Sequence, residues 1–216
     1  MTLTTRPDRR HRRREDTLTE LLDVALELME EHGAGGLTLG DLARRMGMKT
    51  PSLYVYFPSK HALYDAIFAR GWVEVGTVVR GELERIDPSA DLAQRLDAMG
   101  TPFVRWSVEH PAYSQLMAWR PVPGYEPSEA AYAPAVAVIQ EATRAFARLQ
   151  VAGLLRSDVP VAELVRTWTV LTGGVISQQL ANTPHESFAD GTFTRLLPDI
   201  FRMYQWRYAT PAHRPD

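Results

Sequence analysis

Between Leu42 and Lys60 the chain places four cations, Arg44, Arg45, Lys49 and Lys60, and no carboxylate. Hydroxyls at Thr50, Ser52, Tyr54, Tyr56 and Ser59 are interleaved with them. Cationic side chains that coincide with helix ends and hydroxyl donors are the groups used to hold phosphates, a coincidence that a merely solvated basic face does not need. The chemistry this stretch could perform is recognition of a phosphate backbone.

The elements that would position these groups can be read on either side. Thr38, three residues before Asp41, is a capping-box-like entry, and Leu39, Leu42, Ala43 and Met46 recur at helical spacing. That short helix ends at Gly47, which can adopt the left-handed conformation. A second helix then starts with Thr50 as cap and Pro51 in its first turn, where the missing N–H costs nothing. On a wheel of about 100° per residue, Leu53 and Phe57 share one side and Pro51, Ser52 and Val55 lie roughly opposite, with Tyr54 and Tyr56 on the flanks. Leu53 and Phe57 can pack on Leu42 and Met46, so the tyrosines, Val55 and the small polar groups face outward and ask for a partner. Ser59 and Lys60 open a further helix after Pro58, aiming a positive helix end and an ammonium at one phosphate.

This stretch resembles the DNA-binding domain of the TetR family of bacterial transcriptional regulators. The resemblance runs from Leu22 to Leu63 and is carried by Gly47, Leu53, Tyr54, Phe57, Ser59 and Lys60, preceded by Thr38 and Ala43. It implies that Lys49, Thr50 and Pro51 approach base edges, that Ser52, Tyr54 and Tyr56 contact backbone or bases, that Lys60 holds a phosphate, and that Thr38 caps the second helix close to the DNA backbone. Gly40 departs from the pattern: some members reach a base from that position with a long side chain, and glycine cannot. On chemistry alone the Pro51 ring suits a thymine methyl, and the Thr50 hydroxyl suits either a helix cap or a base contact.

Around this motif the 216 residues carry 24 Lys and Arg against 26 Asp and Glu. Residues 1–70 hold 11 basic and 10 acidic side chains and the remainder 13 and 16, so net charge passes from +1 to −3 along the chain. Without cysteine there is no disulfide, thiol nucleophile or thiolate metal site. The six histidines are scattered and no H-E-x-x-H, G-x-S-x-G or P-loop pattern occurs, so neither an enzyme, a cofactor nor a metal is expected. The basic N-terminus runs into REDTLTELLD rather than an apolar segment, and the longest uncharged run, Thr167 to Pro184, is too polar to span a membrane. The expected setting is cytoplasmic, nucleoid-associated when bound to DNA. Two rivals remain: a helical ligand-binding or scaffolding protein without specific DNA recognition, and an architectural DNA binder without sequence preference.

An all-α organisation is expected, with a basic arm over 1–16, a three-helix helix-turn-helix domain over 17–63, a helical ligand-binding and dimerisation domain over 64–208, and a tail over 209–216. Arg6, Arg9, Arg10, Arg12, Arg13 and Arg14, with His11, read either as a disordered solvated tail or as an arm for phosphates or the minor groove. Thr17 to His32 is amphipathic, with Leu18, Leu21, Leu22, Ala25 and Met29 on one face, and Gly33, Gly35 and Gly36 end it. A fourth helix, Ser59 to about Glu84, links the halves. Further helices are expected over Asp91 to Glu109, Pro111 to Trp119, Ser128 to Arg156, Pro160 to Asn182 and Thr192 to Arg207, with prolines 102, 134 and 198 marking either kinks or boundaries. Pro121 to Pro127 is the clearest loop.

Met99, Phe103, Trp106, Tyr113, Met117, Trp119 and Trp168 form a Met and aromatic series that reads as plain core or, through the resemblance, as the lining of a pocket for a small, largely apolar effector, with Gln178 or Ser177 as the polar contact. The Pro160 to Asn182 helix carries Leu164, Trp168, Leu171 and Val175 beside Val165 and Ile176, a wide apolar arc that must bury two sides. Phe193, Leu197, Ile200 and Tyr204 mark the last helix as its companion, and Gly173 and Gly174 permit close approach. The resemblance implies that these two helices form a four-helix interface in a homodimer, hence a palindromic operator, from which an effector releases a repressor.

Overall fold

The computed structural model describes residues 9–119 and 121–215, and within them the chain is all-α, with a single isolated antiparallel bridge between Leu155 and Ala209. The first helix, α1 (Arg9–Gly36), buries Leu21, Leu22, Ala25 and Met29 as expected, with Leu28 beside them. It starts within the arginine cluster rather than at Thr17. Arginine is a good helix former, nothing between Arg9 and Thr17 breaks a helix, and His11 pairs with Glu15 one turn on at 3.1 Å. From Arg9 onward the expected arm is therefore helix; Arg6 lies outside the described residues. Gly33, at φ 72° and ψ 161°, breaks α1 before its last turn.

Then follow α2 (Leu39–Arg45), α3 (Thr50–Leu53), α4 (Lys60–Arg85), α5 (Leu92–Glu109), α6 (Pro111–Ala118), α7 (Glu129–Val151), α8 (Val161–Asn182) and α9 (Leu197–Tyr208). Helix α7 stops short of the expected Arg156 because Gly153, at φ 74°, turns the chain and lets the Leu154 and Leu155 amides bond back to the Leu149 carbonyl. Pro102 and Pro134 lie inside α5 and α7, whereas Pro198 sits in the first turn of α9, so only the last marks a boundary. The C-terminal segment is no free tail: the Thr210 amide donates to the Leu154 carbonyl at 3.1 Å and Gln205 Nε2 to the His213 carbonyl at 2.8 Å.

Two apolar clusters hold these helices. One joins α1, α2 and α3 through Leu21, Leu42, Leu53 and Phe57 to Leu63 and Ile67 of α4 and Leu116 of α6. The other gathers Leu96, Phe146, Leu164, Trp168, Phe201 and Tyr204 from α5, α7, α8 and α9. Phe103 packs against both. The first cluster is stitched by polar groups at its edge: Arg70 of α4 meets Asp23 of α1 at 2.6 Å and Glu74 at 2.7 Å. Asp65 accepts from the Tyr125 hydroxyl at 3.0 Å and the Ser128 amide at 3.2 Å, tying the start of α4 to the loop before α7.

Tyr64 of α4 is fully enclosed, and its hydroxyl donates to the Ala34 carbonyl at the end of α1. Burial pushes its pKa up from 10.0 to about 12. The folded hydroxyl thus keeps its proton in a range where the unfolded one has lost it, so this group's stabilisation is intact below about pH 10 and is lost as pH rises toward 12. Tyr64→Phe, which leaves the Ala34 carbonyl unpaired, is expected to cost about 0.5–1.5 kcal/mol at neutral pH and to flatten the alkaline loss of stability. Urea unfolding at a series of pH values checks both.

Candidate nucleic-acid interface and internal cavity

Thr38 is the N-cap of α2: its Oγ1 accepts from the Asp41 amide at 3.0 Å while its hydroxyl donates to Asp41 Oδ2 at 2.6 Å. That hydroxyl, with Arg44 second, holds the Asp41 carboxyl below the ordinary carboxylate range. Gly47 then makes the turn at φ 62°, in the left-handed region that a Cβ strains. Lys49, not Thr50, caps α3, and its side chain makes no capping bond. The Pro51 ring has no N–H to satisfy, so the first amide that closes a turn is that of Ser52, which reaches the Lys49 carbonyl at 2.8 Å and starts the helix one residue earlier than expected.

Leu53 and Phe57 are buried with Leu42, as the wheel predicted, and Pro51, Ser52, Tyr54 and Val55 stand outward. Tyr54 is 53% and Val55 69% exposed, an apolar pair presented to solvent on a four-residue helix and the turn after it. Tyr56 differs: it is half-buried, with the Arg14 guanidinium 5.9 Å from its ring centre and Arg14 Nη2 3.5 Å from the Val55 carbonyl. The helical extension of α1 thus carries Arg14 to the recognition turn, which the reading of an N-terminal tail did not foresee.

Of the four cations between Leu42 and Lys60, two are committed inside the molecule. Arg45 forks onto Glu31 at 3.0 and 2.7 Å, and Arg44 meets Asp41 at 2.8 Å. Lys60, at the first turn of α4 behind the Ser59 cap, donates to the Gly35 carbonyl at 3.2 Å and lies 5.4 Å from the centre of the Tyr64 ring. Lys49 is exposed and has no partner among the described residues.

The expected pocket residues divide. Met99, Phe103 and Trp168 line a cavity of about 430 Å³ between α4, α5, α7 and α8. Trp106 does not reach it: its ring stacks on His110 at 4.6 Å and tilts against Tyr113 at 5.4 Å within the first cluster. Tyr113 faces α4, its hydroxyl 3.4 Å from Glu74, and Met117 packs on the same cluster. Gln178 is exposed, one residue off the inward face. Gln179 is the buried amide, and it serves the fold, donating to the Thr183 carbonyl at 3.0 Å and accepting from the Phe193 amide at 3.0 Å.

Cavity residues not anticipated include Trp72, Gly76 and Arg80 of α4 and Arg144 and Arg148 of α7. A Cβ at Gly76 would meet Val138 Cγ2 at 2.9 Å, so its absence lets α4 and α7 approach. Arg80 and Glu141 close one side by an ion pair at 3.0 Å. Trp72 Nε1 is buried without a hydrogen-bond partner, a deficit of about 1–3 kcal/mol. The signal in the sequence was the pair Arg144 and Arg148, one helical turn apart on α7. Among the described residues no group of His, Asp or Glu is placed to hold a metal, and no helix is long and apolar enough to cross a membrane.

An exposed recognition helix after a glycine turn, seated on a longer helix that runs on into an all-helical body with a cavity, defines a helix-turn-helix transcriptional regulator. Residues 21–67 match the model of bacterial regulatory proteins of the tetR family, and residues 96–200 match a tetracyclin repressor-like C-terminal domain. The HTH-type transcriptional regulator Rv1816 of Mycobacterium tuberculosis is 28% identical over 167 residues, covering 76% of this chain and 68% of that protein. Tetracycline repressor protein class D of Escherichia coli is 45% identical over 47 residues, 22% of each chain. A solved structure of a protein with unknown function from Rhodococcus sp. RHA1 superposes with a TM-score of 0.74 at 17% identity, over 89% of this chain and 95% of that one. The chain belongs to the TetR family of bacterial transcriptional regulators.

Because Thr38 supplies both the cap and the bond to Asp41, Thr38→Ala is expected to destabilise the folded state by about 0.5–2 kcal/mol. Chemical denaturation with unchanged m-value would register that loss.

Proposed function

We propose that the protein is a homodimeric repressor that binds a palindromic operator through Lys49, Thr50, Pro51, Ser52, Tyr54 and Tyr56, is anchored to phosphates by Lys60, and is released when a small, largely apolar molecule occupies the cavity. It acts by binding alone, without catalysis. The observation that carries this reading is the outward face of α3 and its turn: Tyr54, Val55, Pro51 and Ser52 have no core to join, and the neighbouring Lys49 has no internal partner. Thr38 sits at the start of α2 on the exposed side, where its hydroxyl can lie near the DNA backbone. Arg14 is added to the set by its place over Tyr56.

Dimerisation is proposed through α8 and α9, but not by the faces expected from the sequence. Leu164, Val165, Trp168, Val175 and Ile176, together with Leu197 and Tyr204, are all buried within one subunit, because the second cluster surrounds α8 on both apolar sides. The surface left over comprises Val170, 72% exposed, with Met203 at 59% and Trp206 at 62%, and open space beside Gly173 and Gly174. Two helices presenting isolated apolar side chains beside glycines suit pairing with a symmetry-related copy. A two-fold dimer would set two copies of α3 on successive major grooves of a symmetric site.

Effector release follows by linkage: a ligand that favours a conformation whose recognition helices no longer match the grooves lowers operator affinity by the difference in its binding to the two states, about 1–3 kcal/mol in usual cases.

Selection of bound sequences from a random DNA pool tests the core of this reading. A palindromic motif bound at least ~1,000-fold more tightly than scrambled DNA is expected, and no enriched motif would refute sequence-specific regulation. On the selected site, Tyr54→Ala and Lys49→Ala should each cost about 1–3 kcal/mol of affinity, and Lys60→Ala should reduce the salt slope by about 1. All three should sediment as dimers. Val170→Glu with Met203→Glu should instead weaken dimerisation by roughly 2 kcal/mol or more, and an unchanged dimer in that variant would place the interface elsewhere.

A further inference from the structure

The hydrogen-bonding capacity around the cavity is lopsided. Its floor is apolar, with Trp72, Met99, Phe103 and Trp168 among the lining side chains. Thr169 and Thr172 also line it, but their hydroxyl protons go to the helix carbonyls of Val165 and Trp168, each at 2.9 Å. Arg80 and Glu141 neutralise each other. What remains unmatched is mainly donor: the Trp72 indole N–H, buried and without a partner, and the guanidiniums of Arg144 and Arg148, which make no ion pair among the described residues. Against these stands one unmatched carboxylate, Glu84.

Arg144 and Arg148 lie one turn apart on α7, so both project from the same side of the helix beside the cavity. An indole can only donate, and a guanidinium presents a planar fork that fits a carboxylate in two parallel bonds. A cationic ligand would bring its charge toward two uncompensated guanidiniums, Arg144 and Arg148, against one unmatched carboxylate, Glu84. A wholly apolar ligand would leave the indole N–H unpaired.

We propose that the effector of this cavity is an amphipathic carboxylic acid, its anionic head held by Arg144 and Arg148, its apolar body lying among Trp72, Met99, Phe103 and Trp168. The inference rests on the reading of the cavity as the effector site and assigns the chemical class of ligand it takes. The head group sits at α7 and the body reaches Trp72 of α4 as well as α5 and α8, so the ligand touches both the helix that carries Lys60 and the helix that carries the two free arginines. A bridging molecule of this kind is one whose binding depends on the spacing of α4 and α7.

The test is calorimetric titration of the full chain with octanoate, decanoate, dodecanoate and naphthoate, each beside its methyl ester and the amine of the same body. At least one acid is expected to bind ~10-fold or more tightly than its ester and its amine, the scale of one charge-assisted hydrogen bond. Comparison of the aliphatic acids with naphthoate separates a chain from a flat body. Arg144→Gln and Arg148→Gln should each shrink the acid-over-ester ratio, and melting curves report that both variants keep the fold, since neither side chain is buried or paired. Trp72→Phe should weaken acid and ester alike, because the ring packs on the apolar body that both share. An ester or amine that binds as well as its acid, or a ratio untouched by both glutamine variants, would overturn the assignment of the head group while leaving an effector site in place. Absence of binding by every probe would overturn the assigned ligand class, whereas an acid that binds in the cavity without changing operator affinity would overturn the reading of the cavity as the effector site.

Discussion

The three helices that carry the recognition surface, two of them only seven and four residues long, cannot bury enough apolar area among themselves to fold, and the rest of the molecule is arranged to make good that deficit. Leu21, Leu42, Leu53 and Phe57 find their remaining neighbours on α4 and α6 rather than within the recognition unit. Helix α3, with a single buried residue, Leu53, has its position set almost wholly by this shared cluster. The outward placement of Tyr54 and Val55 is a consequence: the inward side of so short a helix is saturated by Leu53 and Phe57, and there is no second core for the other side to enter.

Sharing a core also means sharing a fate. The long helix α4 carries Lys60 at its start, Tyr64 and Arg70 where it grips α1, and Trp72, Gly76 and Arg80 where it walls the cavity. A rigid helix of 26 residues transmits displacement at one end to the other, because its backbone bonds do not bend cheaply. Arg70 is the tightest point of this linkage. It joins Asp23 of α1 to Glu74 of α4, Tyr113 of α6 lies beyond Glu74, and one of its nitrogens is buried without a partner. Arg70 therefore joins α1, α4 and, through Glu74, α6 at one point, so a shift of any of these helices has to be taken up by these bonds.

Periodicity and capping made the architecture legible. The glycine turn at Gly47, the Ser59 cap and the Leu53 and Phe57 face needed only local rules, because each is decided by residues within a turn or two. What escaped were features decided by rotation about a helix axis. On α8 the apolar arc was correctly recognised as too wide for one neighbour, yet both halves turned out to face the same subunit, since α5, α7 and α9 wrap it. The same one-residue ambiguity exchanged Gln178 for Gln179: a step of about 100° separates an exposed amide from a buried one that bonds to the Thr183 and Phe193 backbone. The aromatic series split for a similar reason. Trp106 and Tyr113 have the chemistry of pocket residues, but α6 folds back on α1 and α4 and draws them into the first cluster, and nothing local to either residue records where α6 goes. The arginine cluster failed differently: composition says solvated tail, and only continuity with the amphipathic run behind it makes it helix.

The cavity and the recognition turn answer one physical question with opposite signs. At α3 apolar and cationic groups are left outside because their partner is another molecule that arrives as a large polyanion. At the cavity a buried indole N–H has no partner and two exposed arginines at the rim have no carboxylate, so a ligand that supplied acceptors would satisfy both. A ligand that does so gains most in whichever conformation brings Trp72 and Arg144 closest together, which is a condition on the spacing of α4 and α7. The recognition helix gains most from whichever inclination of α4 sets α3 to a DNA groove. If one inclination satisfies both, ligand and operator reinforce each other; if the two optima differ, they exclude each other. The close approach that Gly76 permits against Val138 limits how far α4 can move toward α7 without a clash, so the freedom that remains is rotation and sliding along that contact. Any displacement of that kind would be shared by Lys60, since α4 runs unbroken from Lys60 to Arg85.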